Sequence, residues 1–328
     1  MHKRRIITII LTILIVCCNL FTACDKGYNP LPFTEGSFSV HFLDVGQGDA
    51  ILVCFSDGKT MLIDTGEASQ ARTNYVKDCI KGTGKNKIDY LVITHADSDH
   101  IGNALTLTDA FGVGVAYLPD VKDDTLFNEL TLLKSALAKK NTEIKVSSYI
   151  QSIEGDDWFV GFLSPAPAGN PNSSYDDFNA SEMPTSSQSN NLSPIIYLEC
   201  KGKRFLFTGD AGVSQERLVI DNYKSSIYDL LFGKSRVNLD GVDVLKVSHH
   251  GASDATSEYF LETVRPKNAI ISVGENNYGH PSSATLLRIQ TISPDVDFYR
   301  TDLNGTISVG FDANFNLKFS CINASKKN

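Results

Sequence analysis

The sequence is poor in cysteine and contains no Cys-x-x-Cys motif. It has seven cysteines among 328 residues, and two of them, Cys17 and Cys18, lie in an apolar N-terminal run. A disulfide framework is therefore not expected. Cys54 and Cys200 lie in apolar runs of the folded part, where cysteine usually behaves as a small buried hydrophobic residue.

Basic residues are also scarce. The chain has 30 Lys and Arg residues against 38 Asp and Glu residues, and removing residues 1–23 takes away three basic residues and no acidic one, which leaves a net charge of −11. Nonspecific binding of nucleic acid depends on Lys and Arg that replace counterions. The composition argues against a tight DNA binder, although bound cations would change the local sign.

Long apolar runs are missing except at the N-terminus. There Ile6–Leu20 follows the basic residues Lys3, Arg4 and Arg5, and it is shorter than the roughly 20 residues that a membrane-spanning helix needs. We interpret residues 1–23 as an export signal. A retained membrane anchor is the alternative.

Cys24 directly follows Thr22 and Ala23, which resembles a bacterial lipobox with Phe21 in the place where leucine is usual. The resemblance implies that Cys24 is acylated and holds the exported protein on the outer face of the cytoplasmic membrane. The alternative is an ordinary cysteine and a secreted protein. Residues 24–36, rich in Pro and Gly, are predicted to be a tether, and residues 37–328 a single large domain.

Short apolar strands alternate with helical stretches in the rest of the chain. The segment Ile51–Gly66 resembles Ile195–Asp210, since both consist of a strand, a Gly-Lys turn, a second strand and an acidic loop. This echo predicts a sandwich of two pseudo-symmetric halves rather than a Rossmann sheet. The chain between Pro165 and Pro194 is rich in Pro, Ser, Asn and Gly and predicts a long surface loop, either a functional lid or a plain insertion.

The strongest chemical signal is the cluster of His95, Asp97, Asp99 and His100. It directly follows the apolar run Tyr90–Thr94, so that four possible metal ligands fall within six residues at the end of a buried strand. Imidazole nitrogen and carboxylate oxygen at this density suit zinc or manganese. The cluster predicts a site for two neighbouring divalent ions.

Six motifs in series resemble the metallo-β-lactamase superfamily in its ComEC-like branch, over roughly residues 38–312. In chain order the motifs are Val40–Ala50, Leu62–Gly66, His95–His100, Phe207–Asp210, Lys246–Gly251 and Asn277–Pro281. The resemblance implies an α/β (α+β) fold in which two sheets lie between two helical layers, the four-layer αββα sandwich.

The resemblance also implies roles for the residues of these motifs. Asp210 is expected to bridge the two ions, and either His249 or His250 to ligate one of them. His280 is expected to ligate, to polarise a substrate oxygen or to protonate a leaving group. Asp64 is expected to orient a histidine ligand, and Asp49 is expected to lie with it behind the ligands rather than to bind a cation.

Two departures from the lactamase pattern make the predicted site richer in oxygen. Asp97 stands where those hydrolases have histidine, and no histidine occurs between His100 and His249, so that Asn191 or Ser193 is left to fill the missing position. Oxygen ligands favour manganese, or zinc with water in a vacancy.

The ComEC-like resemblance implies a metal-dependent phosphodiesterase that uses an activated water, with Asp99, Asp210 and His280 as its catalytic residues. The expected substrate is a phosphodiester outside the cell, DNA among the candidates, and no protein partner is predicted. Two alternatives remain: hydrolysis of a lactam, lactone or thioester, and a non-catalytic binding module at the cell envelope.

Overall fold

Strands that are apolar along their whole length lie at the centre of the molecule, because both of their faces are covered.

A computed structural model describes residues 37–119, 121, 127–167 and 186–322. The predicted signal peptide and tether lie outside these residues. Within them, no helix combines the length and apolar character needed to cross a membrane.

The strands form two mixed sheets. The first sheet has the order β15-β14-β1-β2-β3-β4-β5-β6 and the second the order β13-β12-β11-β10-β9-β8-β7. The strands are β1 Ser39–Phe42, β2 Ile51–Cys54, β3 Thr60–Ile63, β4 Lys87–Val92, β5 Gly112–Leu118, β6 Glu143–Val146, β7 Ser152–Glu154, β8 Trp158–Phe162, β9 Ile196–Cys200, β10 Lys203–Phe207, β11 Val244–Lys246, β12 Asn268–Ile271, β13 Asp297–Arg300, β14 Thr306–Phe311 and β15 Leu317–Ile322.

Helices cover the outer faces of both sheets, and each of the longer ones turns an apolar side inward. In chain order they are α1 Gln70–Gly82, α2 Ser98–Ile101, α3 Ala104–Ala110, α4 Asn128–Lys139, α5 Ser186–Asn190, α6 Val213–Lys224, α7 Ile227–Phe232, α8 Glu258–Val264, α9 Ser283–Ile292 and α10 Thr301–Asn304. A 3₁₀ turn, Ser248–Gly251, follows β11.

Three buried apolar clusters fill the spaces between these layers. One lies between the sheets, one between the first sheet and helices α1, α3 and α4, and one between the second sheet and helices α6 to α9. This is the predicted αββα sandwich. Cys54 and Cys200 are buried in it, as expected.

The two halves repeat the same pattern of strand pairing. From β14 through β1, β2 and β3 the pairs are antiparallel, and from β3 through β4 and β5 to β6 they are parallel. From β7 to β10 the pairs are likewise antiparallel, and from β10 to β13 they are parallel. The hairpin β2–β3 thus corresponds to β9–β10, which confirms the pseudo-symmetry that the echo predicted.

Phe205 on β10 is completely buried between the sheets and lies edge-on to Phe38, with ring centroids 5.5 Å apart. We predict that Phe205→Ala lowers the free energy of unfolding by about 3–5 kcal/mol, because it removes apolar contacts and leaves a cavity. Chemical denaturation measures this change. The control Leu230→Ala, at a side chain that is 82% exposed, should change stability by less than about 0.5 kcal/mol; equal effects of both variants would contradict the assigned core.

Candidate metal centre

The candidate ligands lie in loops that follow corresponding strands of the two halves. Asp64 follows β3 and His95 follows β4, while Asp210 follows β10 and His250 follows β11. Parallel strands end at the same edge of a sheet, and the two sheets face each other, so the four loops meet. The site therefore takes its residues from both halves.

The loop after β4 is shaped by the short helix α2. The carbonyl of Asp97 accepts hydrogen bonds from the amides of His100 and Ile101, which starts the helix and turns successive polar side chains toward one place. Gly48 lets the loop after β1 approach this turn, since a Cβ there would clash with the carbonyl of Asp99. The amide of Asp49 donates to that same carbonyl at 3.1 Å.

His95, His100 and Asp210 form one group of side chains suited to a cation, with candidate ligand atoms all within 4.8 Å of one another. The Nε2 atom of His100 lies 3.3 Å from Oδ2 of Asp210. His95 and His100 are fully buried, and their rings are 4.1 Å apart between centroids. Asp97, which is more exposed, places Oδ2 3.8 Å from Nε2 of His95.

Asp99, His100 and His250 form a second such group. Nε2 of His250 lies 3.3 Å from Oδ2 of Asp99 and 3.4 Å from Oδ2 of Asp210. Asp210 therefore contacts both groups, which is the place that a bridging carboxylate would take. His280 does not join either group and lies at the rim of the cleft above them.

Of the two adjacent histidines, His250 belongs to the buried group and His249 to the rim. Nδ1 of His250 donates to the carbonyl of Ser272 at 2.8 Å, which leaves Nε2 directed at the carboxylates. Nε2 of His249 lies 3.3 Å from the side-chain amide of Asn190, and its ring packs against that of His280 with centroids 5.3 Å apart.

Asp64 holds His100 in place. Its Oδ2 accepts hydrogen bonds from Nδ1 of His100 and from the hydroxyl of Thr94, each at 2.7 Å, and its Oδ1 accepts from the amide of Thr94. These bonds put the proton of His100 on Nδ1 and leave Nε2 free. Asp64 is thus an orienting residue rather than a ligand in this geometry.

Asp49 lies behind the candidate ligands, where its carboxylate is paired with a lysine rather than hydrogen-bonded to a histidine. Its Oδ2 lies 2.5 Å from Nζ of Lys246, whereas its nearest distances to His100 and His250 are 3.9 and 3.7 Å. Lys246 belongs to the motif Lys246–Gly251, but no role for it was expected from the sequence. The signal was a lysine in the apolar strand that leads to the histidine pair.

The segment before β9 also places two residues, Ser189 and Asn190, at the site that were not expected there from the sequence. The hydroxyl of Ser189 donates to Oδ1 of Asp97 at 2.5 Å, and Asn190 contacts His249. Ser193 does not fill the missing rim position, because its hydroxyl lies behind the site, 3.2 Å from Nδ1 of His95. Asn191 instead accepts hydrogen bonds from the loop that starts α6.

Burial and neighbouring charges shift the pKa values of the candidate ligands, and for His250 and Asp99 the two effects have opposite signs. Burial alone would lower the pKa of His250, but the carboxylates of Asp210, Asp99 and Asp49 raise it to about 10. Burial would raise the pKa of Asp99, but His100 and His250 hold it below its usual value. The pKa of His95 is lowered, first by burial and then by the neighbouring His100.

The donor set fits divalent cations. Among the described residues, the Nε2 atoms of His95, His100 and His250 are buried yet have no hydrogen-bond partner. Buried polar atoms are rarely left without partners, and these converge on two neighbouring places. Imidazole and carboxylate ligands in this mixture suit zinc and manganese.

Comparison with known proteins relates the chain to one family. The sequence profile of the metallo-β-lactamase superfamily matches residues 43–174 of this chain. Over 84% of its length the chain is 27% identical to ComE operon protein 3 of Bacillus subtilis, and over 89% of its length it is 26% identical to competence protein ComA of Neisseria gonorrhoeae. These matches support a ComEC-like member of the metallo-β-lactamase superfamily.

The two curated relatives are much longer than this chain, which spans 33% of the first and 35% of the second. Among solved structures, CmlA, a diiron β-hydroxylase from Streptomyces venezuelae, matches 86% of this chain and 55% of its own, with a TM-score of 0.50 and 14% identity. That likeness concerns the metallo-β-lactamase fold alone.

The raised pKa of His250 makes the stability of the metal-free protein depend on pH. A folded-state pKa of about 10, against 6.5 for ordinary histidine, gives a stabilisation that is complete below about pH 6.5 and is lost as the pH rises toward 10. We predict that, in chelator-treated protein, the thermal midpoint of wild type exceeds that of His250→Gln near pH 6 and that the difference narrows toward pH 10. The thermal midpoints are measured by differential scanning fluorimetry. A difference between the two proteins that stays constant from pH 6 to pH 10 would contradict the prediction.

Proposed function

We propose that the chain is an exported metal-dependent hydrolase of phosphodiester-type substrates, with two divalent cations of zinc or manganese. The observation that carries the proposal is the position of Asp210, between two groups of buried imidazoles and carboxylates at the floor of an open cleft. The N-terminal sequence supports export.

The two groups divide the ligands between the cations, because one imidazole nitrogen binds one cation. His95 and Asp97 would hold the first cation, and Asp99, His100 and His250 the second, with Asp210 contacting both. When bound, the cations would lower the pKa of a water molecule and stabilise negative charge on the attacked centre. The chain's own contribution is to fix the ligands, for instance through the hydrogen bond from His100 to Asp64.

His280 is placed to act on the substrate rather than on the cations. Its pKa is lowered by partial burial and by the neighbouring His249 and His250, so its ring is neutral at pH 7. A neutral imidazole has one donor and one acceptor nitrogen. Lying at the rim of the cleft, the neutral ring can donate a hydrogen bond to a substrate oxygen, whereas protonating a leaving group would need the charged ring, which the lowered pKa disfavours.

The cleft around the site has a volume of about 800 Å³ and an acidic lining. Glu67, Asp254 and Glu275 lie on its walls, and among the described residues that line it none is lysine or arginine. The sequence from residue 146 to residue 200 also contains neither residue. An anionic substrate would therefore be attracted mainly by the bound cations.

This charge distribution favours a compact phosphodiester over a long polyanion, because flanking phosphates have no basic partners in the cleft. The similarity to competence protein ComA keeps DNA among the candidates. The carboxylate-rich ligand set favours phosphate chemistry over hydrolysis of a lactam or thioester.

We predict that zinc- or manganese-loaded protein hydrolyses bis-p-nitrophenyl phosphate and that Asp210→Asn lowers kcat/KM at least about 100-fold, since it removes the carboxylate that contacts both groups. The matched control is Asp109→Asn, at an exposed aspartate on α3, which should act like wild type.

The same assay compares p-nitrophenyl phosphorylcholine, single- and double-stranded DNA, and nitrocefin. Cleavage of nitrocefin alone would replace the phosphodiester assignment with the lactamase alternative. No cleavage of any substrate with either metal, by protein that binds the metal, would leave the non-catalytic binding module.

A further inference from the structure

Lys246 is a completely buried lysine behind the candidate metal centre. It is the last residue of β11, and its Nζ donates to the carbonyl of Gly209 at 2.9 Å. The same nitrogen lies 2.5 Å from Oδ2 of Asp49 and 3.7 Å from Oδ1 of Asp210. A buried charge of this kind is costly unless it is paired, and here its partners are carboxylates of the site itself.

The pair of Asp49 and Lys246 is neutral as a whole, but its two charges act separately on the site. Oδ1 of Asp49 is buried, has no hydrogen-bond partner among the described residues and lies 3.7 Å from Nδ1 of His250. Without its lysine, this carboxylate would add an uncompensated negative charge beside the predicted ligands.

We propose that Lys246 is a positioning residue whose fixed positive charge holds Asp49 away from the cations, orients Asp210 and limits how tightly the site binds divalent metal. The inference rests on the proposed metal site. It gives Asp210 a distinct partner for each oxygen, because Oδ1 faces Lys246 while Oδ2 faces the imidazoles of His100 and His250.

A role in charge compensation gives the two partners effects of opposite sign. Lys246→Met removes a positive charge and should tighten binding of Mn²⁺ or Zn²⁺ by about tenfold or more. Asp49→Asn removes the nearer of the two carboxylates beside Lys246, leaves its positive charge uncompensated next to the site and should weaken binding by a similar factor. The double variant, which is neutral like the native pair, should bind within a few-fold of wild type.

The metal-free protein gives a second readout. Breaking a buried ion pair leaves one charge unpaired, so Lys246→Met should lower the thermal midpoint by roughly 5–10 °C. The double variant should recover most of that loss, because neither charge remains. A purely space-filling role of the lysine predicts no such recovery.

The experiment is competition for Mn²⁺ and Zn²⁺ with a chromophoric chelator, together with thermal melts of the metal-free proteins. The control is Lys267→Met, which breaks a lysine–aspartate pair with Asp243 that lies near the opposite ends of β11 and β12. Its metal affinity should equal that of wild type.

If Lys246→Met does not fold, the comparison of Asp49→Asn with the double variant measures the same effect, since the two differ only in the lysine. Removing the lysine there should tighten metal binding. Wild type that binds no metal would overturn the proposed function, whereas wild type that binds metal, with both single variants shifted in the same direction or unshifted, would overturn the role of Lys246.

Discussion

Negative charge buried where the two sheets meet is the constraint on which the rest of the site depends. Asp49, Asp64 and Asp210 are almost inaccessible to solvent, and a buried carboxylate is tolerated only when it is compensated. Each is compensated by its neighbours: Asp49 by Lys246, Asp64 by Thr94 and His100, and Asp210 by the imidazoles of His100 and His250. The unpartnered Nε2 atoms of the three buried histidines mark where cations would fit.

This arrangement exists because the two halves of the fold share one pattern of strand pairing. Corresponding strands, β3 with β10 and β4 with β11, end at the same edge and carry an acidic or histidine-bearing loop. Neither half alone has a complete ligand set, since His95 and Asp99 come from one and Asp210 and His250 from the other. Packing of the apolar layer between the sheets therefore fixes the distances within the site.

Much of this could be predicted from the sequence, because the signals were local. The cluster His95–His100 directly follows an apolar strand, and the echo of Ile51–Gly66 in Ile195–Asp210 reflects a real correspondence of strands. The choice between His249 and His250 could not be predicted, since both residues have left-handed backbone conformations, with φ of 48° and 52°. In such a turn the alternation of side chains along a strand no longer applies. The pairing of Lys246 with Asp49 joins residues that are far apart in the chain, and no periodic pattern in the sequence indicates it.

The proposed function requires two divalent cations at this centre that share Asp210. The most direct measurement is a crystal structure of manganese- or zinc-loaded protein, with anomalous difference maps recorded at the absorption edge of the metal. Two peaks are expected, one beside His95 and Asp97 and one beside Asp99, His100 and His250, with Asp210 contacting both. Fully loaded crystals with no peak near Asp210 would contradict this expectation.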